Sequence, residues 1–494
     1  MLSVVEQHRL HISRNTEAAK KSRLGQFLTP ESTARFMASL FPEAGGQGRL
    51  LDAGAGIGSL CAAFLARWRS GGFQFQQVDV DAFEIDPTLH ACLAQTLGKF
   101  ARGETLTTRI HGEDFIHAAV DSLSGNLFGE RLGHYTHAIL NPPYKKINSR
   151  SAHRLALRAV GIETVNLYSA FVALALAQLA PGGQMVAIIP RSFCNGPYYR
   201  PFRDFILARA AIRQIHLFES RNQAFKDDEV LQENIIIRLE RAGQPGPVTV
   251  STSTDDSFSD LADHLHPFER IVFPEDPERF IHVPTSPDPN TLELSAAVRY
   301  TLADLGLQVS TGPVVDFRLK DHLRDLPGPD SVPLLYPGHF SEAGPVWPIP
   351  GMKKPNALQR NDATEKWLYP NGFYCVVRRF SSKEERRRIV ANVVDPALFA
   401  GQSWLGFENH LNLFHERKRG LPESLARGLA AYLNTTAVDE HFRRFNGHTQ
   451  VNATDLKLIK YPSRAALIAL GQWAGENPAP TQAMLDEQLG KLTP

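Results

Sequence analysis

The chain reads as an α/β protein, a mostly parallel Rossmann-like sheet followed by a separate mixed α+β domain. Three observations predict this. Between residues 25 and 240, short apolar runs alternate with longer segments of helical periodicity, the texture of successive βα units. The apolar pair Leu50 and Leu51 is followed by glycines at 54, 56 and 58 and then by helical sequence, the form of a tight strand-to-helix turn. After Leu239 the texture changes to QPGPVTVSTSTDDSFSD, FPEDPERF and PTSPDPN, rich in turn formers, before apolar content returns near Thr291.

Each element follows from its own pattern. Strands are expected at 49–51, 82–85, 107–111, 137–140, 185–189, 214–218 and 234–239, and helices at 32–41, 59–69, 88–100 and 166–179. In the C-terminal part, helices are expected at 423–433 and 437–445. The resulting division is an N-terminal arm at 1–24, a catalytic domain at 25–245, a linker at 246–290 and a second domain at 291–494. No internal repeat or low-complexity tract interrupts it.

With 494 residues, 43% of them hydrophobic and 9% aromatic, the chain has room for two or three folded cores. The first residues lack a signal-peptide core, and no stretch approaches the roughly 18 apolar residues of a membrane span. A cytoplasmic location, no membrane partner and a monomeric state are expected. The four cysteines lie far apart without a CxxC pair, so a disulfide framework and a structural metal are both unexpected. Lys and Arg number 53 against 52 Asp and Glu, so the bulk charge announces no nucleic-acid partner and any such surface must be local. Local basic clusters include Arg378 and Arg379, Arg386 to Arg388, Arg417 to Arg419, and Arg443 and Arg444.

A strand, a glycine-rich turn and a helix N-terminus let a ligand approach the backbone closely and offer it free N–H groups. The bland alternative is an ordinary tight βα turn. The spacing GxGxG, with Asp52 just ahead of Gly54 and Gly56, favours S-adenosyl-L-methionine (AdoMet) over a dinucleotide. Glu84 ends the next strand, where a carboxylate accepts both ribose hydroxyls. Asp114 and Phe115 follow the third strand. They read either as an adenine-amine acceptor with a ring packed on the base, or as a helix N-cap and its neighbour.

Asn141, Pro142, Pro143 and Tyr144 directly follow the apolar run HAIL, at the C-terminal end of a strand where parallel sheets bind ligands. The prolines stiffen the backbone and remove their own donors, leaving carbonyl oxygens facing a rigid pocket. The Asn141 side-chain oxygen and the Pro142 carbonyl can each accept an N–H from an exocyclic amine, drawing the lone pair out of conjugation with its ring. Tyr144 can stack on the base and hold it in line for attack on a sulfonium methyl.

This tetrapeptide resembles the NPPY signature of amino-methyltransferases, and GQFLTPESTARFMASLF at 25–41 resembles the segment that precedes the glycine loop in such enzymes. The order of these segments is similar to the γ group of DNA N6-adenine methyltransferases of bacterial restriction-modification systems, and the C-terminal segments 309–318 and 446–463 resemble those of the PstI/BsuBI type. The resemblance implies that Thr29 approaches the methionine part of AdoMet, that Asp52, Glu84 and Asp114 hold the cofactor, and that Asn141 to Tyr144 are catalytic. It further implies an aromatic residue on the other face of a flipped adenine, matched by Phe225, with Phe218 nearby and a core role open to either. The loop DAGAGIG departs from the less glycine-rich loops of many relatives. VSTGPVVDFR at 309–318 and NGHTQVNATDLKLIKYPS at 446–463 resemble target-recognition segments.

Read without the resemblance, Gly447, His448, Thr449, Gln450 and Asn452 follow a helix bearing Arg443 and Arg444. They would contact base edges beside phosphate-binding charge, or form a polar loop that caps a helix. The expected partner is duplex DNA. No PD…ExK arrangement is recognisable, so cleavage is expected of a separate endonuclease chain. Competing readings are methylation of cytosine N4 or of a protein glutamine, and a catalytically silent DNA-specificity protein.

Overall fold

The computed structural model describes the chain except residues 1, 16–27, 102, 126–131, 220–232, 288, 289, 291, 293, 294, 342, 343, 448, 493 and 494. It divides into two compact units, Met1–Pro287 and Asp288–Pro494. The first begins with α1 (Leu2–Asn15) and α2 (Glu31–Ser39). Strands and helices then alternate: β1 (Gly45–Ala53), α3 (Ser59–Arg69), β2 (Gln74–Phe83), α4 (Pro87–Gly98), β3 (Leu106–His111), α5 (Phe115–Ser124) and β4 (Tyr135–Leu140). There follow α6 (Ala152–Ala159), α7 (Leu167–Gln178), β5 (Leu179–Pro190), α8 (Arg200–Arg209), β6 (Ala210–Phe218), β7 (Asn234–Arg241), β8 (Val248–Ser253) and β9 (Ala262–His266).

The nine strands form one sheet in the order β3-β2-β1-β4-β5-β7-β6-β8-β9. The strands β1 to β5 are parallel, whereas β7 runs antiparallel to both β5 and β6. Period-two alternation buries both faces. Leu51, Ala138, Leu140, Ala187 and Ile189 pack under α5, α7 and α8, while Leu50, Ile139, Val186 and Ile188 pack under α1, α2, α3 and α4. Each such fully buried Leu, Ile or Val contributes roughly 1.5–3 kcal/mol of transfer free energy.

Strand order reverses between β1 and β4, and open parallel sheets bind their ligands at such a reversal. Register brings the strand ends level there: Ala53 lies beside Phe83, Phe83 beside His111, and Leu51 beside Ala138.

Two boundaries differ from expectation. The stretch 246–290, expected as a linker, supplies β8 and β9, because VTVSTS alternates and buries Val248 and Val250 against the sheet. Its later residues are tied back as well: Arg203 donates to the Glu278 carbonyl, and Ile281 N–H to that of Cys194. The N-terminal segment, expected as an arm, forms α1, whose Leu2 and Val5 join the core under α3. Helices α6 and α8 lie in stretches where no helix was expected, and α5 follows the helix start that the N-cap alternative at Asp114 allowed.

The second unit holds a four-stranded antiparallel sheet, β10 (Gln308–Thr311), β11 (Tyr374–Arg378), β12 (Ala391–Val394) and β13 (Leu411–His415), in the order β10-β13-β11-β12. A second, five-stranded sheet contributes residues 323–324, 331–335, 357–359, 369–370 and 404–407. Then come α9 (Glu423–Leu433), α10 (Thr436–Phe445), α11 (Ala453–Leu458) and α12 (Arg464–Glu476). Helices α9 and α12 meet backbone to backbone at Gly428 and Gly471: a Cβ on Gly471 would lie 1.6 Å from the Ser424 carbonyl oxygen. Among the described residues no helix is long and apolar enough to cross a membrane.

Candidate active site

A cleft of about 1070 Å³, including its open mouth, lies over the C-terminal ends of β1, β2 and β4. The glycine loop forms one wall. Gly54, Gly56 and Gly58 all adopt left-handed φ, at +83°, +56° and +84°, and Gly58 leads directly into α3. The N–H groups of Gly54 and Ala55 both donate to the Phe83 carbonyl, which locks the loop onto the end of β2. A Cβ on Gly54 would sit 3.8 Å from the Asn141 carbonyl oxygen, so the loop and the tetrapeptide are direct neighbours.

Glu84 is 2% exposed, and its two oxygens accept from the N–H groups of Gly56 (2.8 Å) and Asp86 (2.7 Å). Burial raises its carboxyl above the ordinary value, and the two backbone donors oppose that rise. A carboxylate oxygen can accept more than one hydrogen bond. Ile85, exposed though apolar, lines the cleft together with buried Phe115, giving two apolar surfaces for a planar ring.

Asp114 caps α5: Oδ1 accepts from Ile116 N–H at 2.8 Å and His117 N–H at 3.3 Å, while Oδ2 pairs with His153 Nε2 at 2.9 Å. Burial disfavours its charge, but these partners hold its carboxyl below the usual range. The N-cap alternative is thus what its geometry displays, although Asp114 also lines the cleft. Asp114, His117 and His153 offer ligand atoms within 4.8 Å of one another, a grouping that residue spacing did not reveal because His153 comes from α6.

Asp52 departs from its expected role. It is fully buried behind the loop, lies outside the residues lining the cleft, and accepts from the Cys61 thiol at 3.0 Å. Its Oδ1 has no hydrogen-bond partner, and burial pushes its carboxyl up to about 7.

The tetrapeptide extends from β4. Asn141 Nδ2 donates to Thr29 Oγ1 at 3.0 Å, and its Oδ1 accepts from the Tyr144 hydroxyl at 3.1 Å. The single Tyr144 hydroxyl proton is shared with the Ile188 carbonyl, 3.2 Å away, and the ring meets Tyr168 edge-on at 6.2 Å. Thr29, Asn141 and Pro143 line the cleft, whereas Pro142 is buried and Tyr144 packs against the core beside it. Sequence reading missed Leu28, Lys145, His153 and Phe171, which also line the cleft. His153 comes from α6, where no helix is expected, and Phe171 from α7, a helix that is expected but whose cleft-facing side depends on the tertiary packing. Phe225 lies outside the described residues, and Phe218 is 2% exposed in the core.

In the second unit, the described residues singled out around 443–452 make hydrogen bonds within the chain. Arg443 donates to Asp439 at 2.7 Å and to the carbonyls of Lys383 and Glu385 at 2.8 Å each, so its guanidinium closes a loop instead of facing outward as a phosphate anchor. Asn452 is the N-cap of α11, in a reciprocal capping box with Asp455. Gln450 Oε1 accepts from Arg379 at 3.3 Å. Arg444 is half-buried on α10, and His448 lies outside the described residues. All four cysteines are free thiols.

A Rossmann-type sheet with a left-handed glycine loop and an Asn-Pro-Pro-Tyr strand end in one cleft defines a methyltransferase. Residues 99–225 match the model of the Eco57I restriction-modification methylase family. The chain is 52% identical over 480 residues to the type II methyltransferase M.BsuBI of Bacillus subtilis, covering 97% of this chain and 95% of that one. It is 44% identical to the type II methyltransferase M.PstI of Providencia stuartii, with 90% and 88% covered. Among solved structures, its fold is similar to the type IIL restriction-modification enzyme MmeI in complex with DNA, with a TM-score of 0.54, 11% identity, and coverage of 100% of this chain and 73% of that chain. The chain belongs to the family of type II restriction-modification methyltransferases.

Proposed function

We propose that this type II, site-specific DNA methyltransferase moves a methyl group from AdoMet to the exocyclic N6 of an adenine flipped out of duplex DNA. The observation that carries the reading is the Asn141 amide, held between Thr29 and Tyr144 at the mouth of the glycine-loop cleft. Because Nδ2 donates to the Thr29 hydroxyl, the amide presents Oδ1 as its acceptor, the polarity an N–H of the target amine requires. The Pro142 carbonyl takes the second N–H, and the nitrogen lone pair becomes available for attack. Tyr144 supplies a ring face for the base, with Phe225 on the opposite side.

The cleft suits AdoMet: Glu84 is a buried acceptor for ribose hydroxyls, Ile85 and Phe115 supply apolar walls for the adenine, and Gly54 and Gly56 let the chain approach closely. When bound, AdoMet supplies the electrophilic sulfonium methyl. In this reading Asp52 ties the end of β1 to α3 through Cys61, and Asp114 fixes the start of α5. The second unit reads the DNA sequence, and the protein works as a cytoplasmic monomer beside a separate restriction endonuclease.

The test is to express the chain alone in a host without methylation, then hydrolyse its DNA to nucleosides and sequence the modified positions. N6-methyladenine at one short motif is the expected result. N4-methylcytosine would replace the adenine reading with the cytosine one, and unmodified DNA would overturn both.

A further inference from the structure

We infer that loops at one end of the four-stranded sheet in the second unit form the base-reading surface for duplex DNA, with His410 and Gln450 as specificity residues and Phe380 as the apolar contact between them. The inference rests on the DNA reading above and names residues within it. Four chain segments converge. Val314, beyond β10, forms a parallel bridge with Glu408, and Asn409 N–H donates to its carbonyl at 2.9 Å. Arg379, just after β11, donates its N–H to the His410 carbonyl at 2.8 Å. Phe380 bridges Gln450, Ser381 N–H donates to the Thr449 carbonyl, and Val451 N–H to that of Arg379. Backbone hydrogen bonds thus tie these segments to one another.

Its side chains have the chemistry of base edges. Glu408 is 0% exposed and its carboxylate holds His410 Nδ1 at 2.6 Å, so the imidazole is anchored through one nitrogen and keeps Nε2 for a ligand. Arg379 occupies Gln450 Oε1, which turns the two amide N–H donors into the group that Gln450 presents. The Phe380 ring is 39% exposed and tilts against His410 at 4.9 Å, and Phe317 on the neighbouring loop is 63% exposed. Apolar rings left in water beside fixed polar groups suit thymine methyls next to base-edge hydrogen bonds. Charge complementarity favours DNA as the occupant: the carboxylate of Glu408 is buried and that of Asp316 pairs with Lys354 at 2.7 Å, while Arg318 is exposed and Arg379 half-buried.

The test uses the full chain. Methyl transfer is measured on the wild-type motif and on every duplex carrying one substituted base pair, for Phe380→Ala, His410→Ala and Gln450→Ala. Arg360→Ala, at an exposed ion pair with Glu365 away from these loops, is the control. The expected result is a loss of about tenfold in kcat/KM on the cognate duplex with little change on one substituted duplex, so that discrimination falls at a single position. Cofactor affinity should stay unchanged. His410→Ala leaves buried Glu408 with only the backbone N–H of residue 410 and no imidazole partner, so Phe380→Ala, which removes an exposed ring, keeps the test open should the first variant unfold. Wild-type discrimination in the folded variants, or an equal loss on every duplex, overturns the assignment. A wild-type chain that methylates no duplex overturns instead the DNA reading beneath it.

Discussion

Asn141 shows how much depends on one amide's orientation. Its Oδ1 is the proposed acceptor for the target amine, so Asn141→Ala should lower methyl transfer by about a hundredfold or more while AdoMet affinity, measured by calorimetry, stays within about twofold. Near-normal turnover would remove Asn141 from the mechanism. Thr29 acts through it: Thr29→Val deletes the acceptor for Nδ2 and should cut kcat about tenfold, and Thr29→Ser, which keeps the hydroxyl, should restore it. Equal activity in the valine and serine variants would leave Thr29 a packing residue. Asp52 makes a different kind of prediction. Burial raises its carboxyl from the ordinary 3.8 to about 7, so the fold favours the neutral form. Its contribution to stability is fully present below about pH 4 and is lost as pH rises through 7. Asp52→Asn removes that dependence, and relative to wild type it should gain roughly 1–3 kcal/mol in urea unfolding between pH 5 and pH 8. An offset that does not vary with pH would place the titration elsewhere.

Among the elements, the turn after β1 and the crossing of α9 and α12 both depend on glycine, for different reasons. In the turn the backbone itself is left-handed, and a Cβ on Gly58 would also meet Leu93 at 2.8 Å. At the crossing the conformation is ordinary and the constraint is space, since the helices touch through their main chains at Gly428 and Gly471. Gly471→Ala should therefore push α12 off α9 and destabilise the second unit by about 3 kcal/mol, read as an earlier unfolding transition in a thermal scan. An unchanged transition would mean the helices separate without loss. Residue pattern announced the first glycine set, because three alternate glycines after an apolar run have few other uses. It said nothing of the second, because which helices cross is not written in either helix. Arg443 teaches the same lesson: clustered with Arg444 on α10 it looks like a phosphate anchor, but the chain brings the 383–386 carbonyls to its guanidinium.

At the scale of the whole molecule, the boundary of the first unit decides which fragments fold. A fragment ending at Arg241 would strip β8 from β6 and leave that strand's backbone as an open edge. It would also discard the residues that tie Arg203 and Cys194. A fragment ending at Pro287 should be soluble and bind AdoMet, whereas one ending at Arg241 should aggregate. Comparing the two by size-exclusion chromatography and calorimetry tests this, and a soluble, cofactor-binding shorter fragment would refute it.

The sequence by itself determined the alternation of strands and helices, the glycine loop, and the place of Asn141 to Tyr144 at a strand end, because each is a local pattern with a local physical cause. It also put Thr29, Glu84, Asp114 and Asn141 on a common list. Only the tertiary structure decided that they share one cleft, since their meeting depends on strand order and on registers such as Ala53 beside Phe83. It alone decided that Asp52 sits behind the loop, that Asn452 caps a helix, and that β8 belongs to the sheet. Those outcomes turn on which distant backbone groups each residue meets once the chain has closed, and residue type carries no record of that.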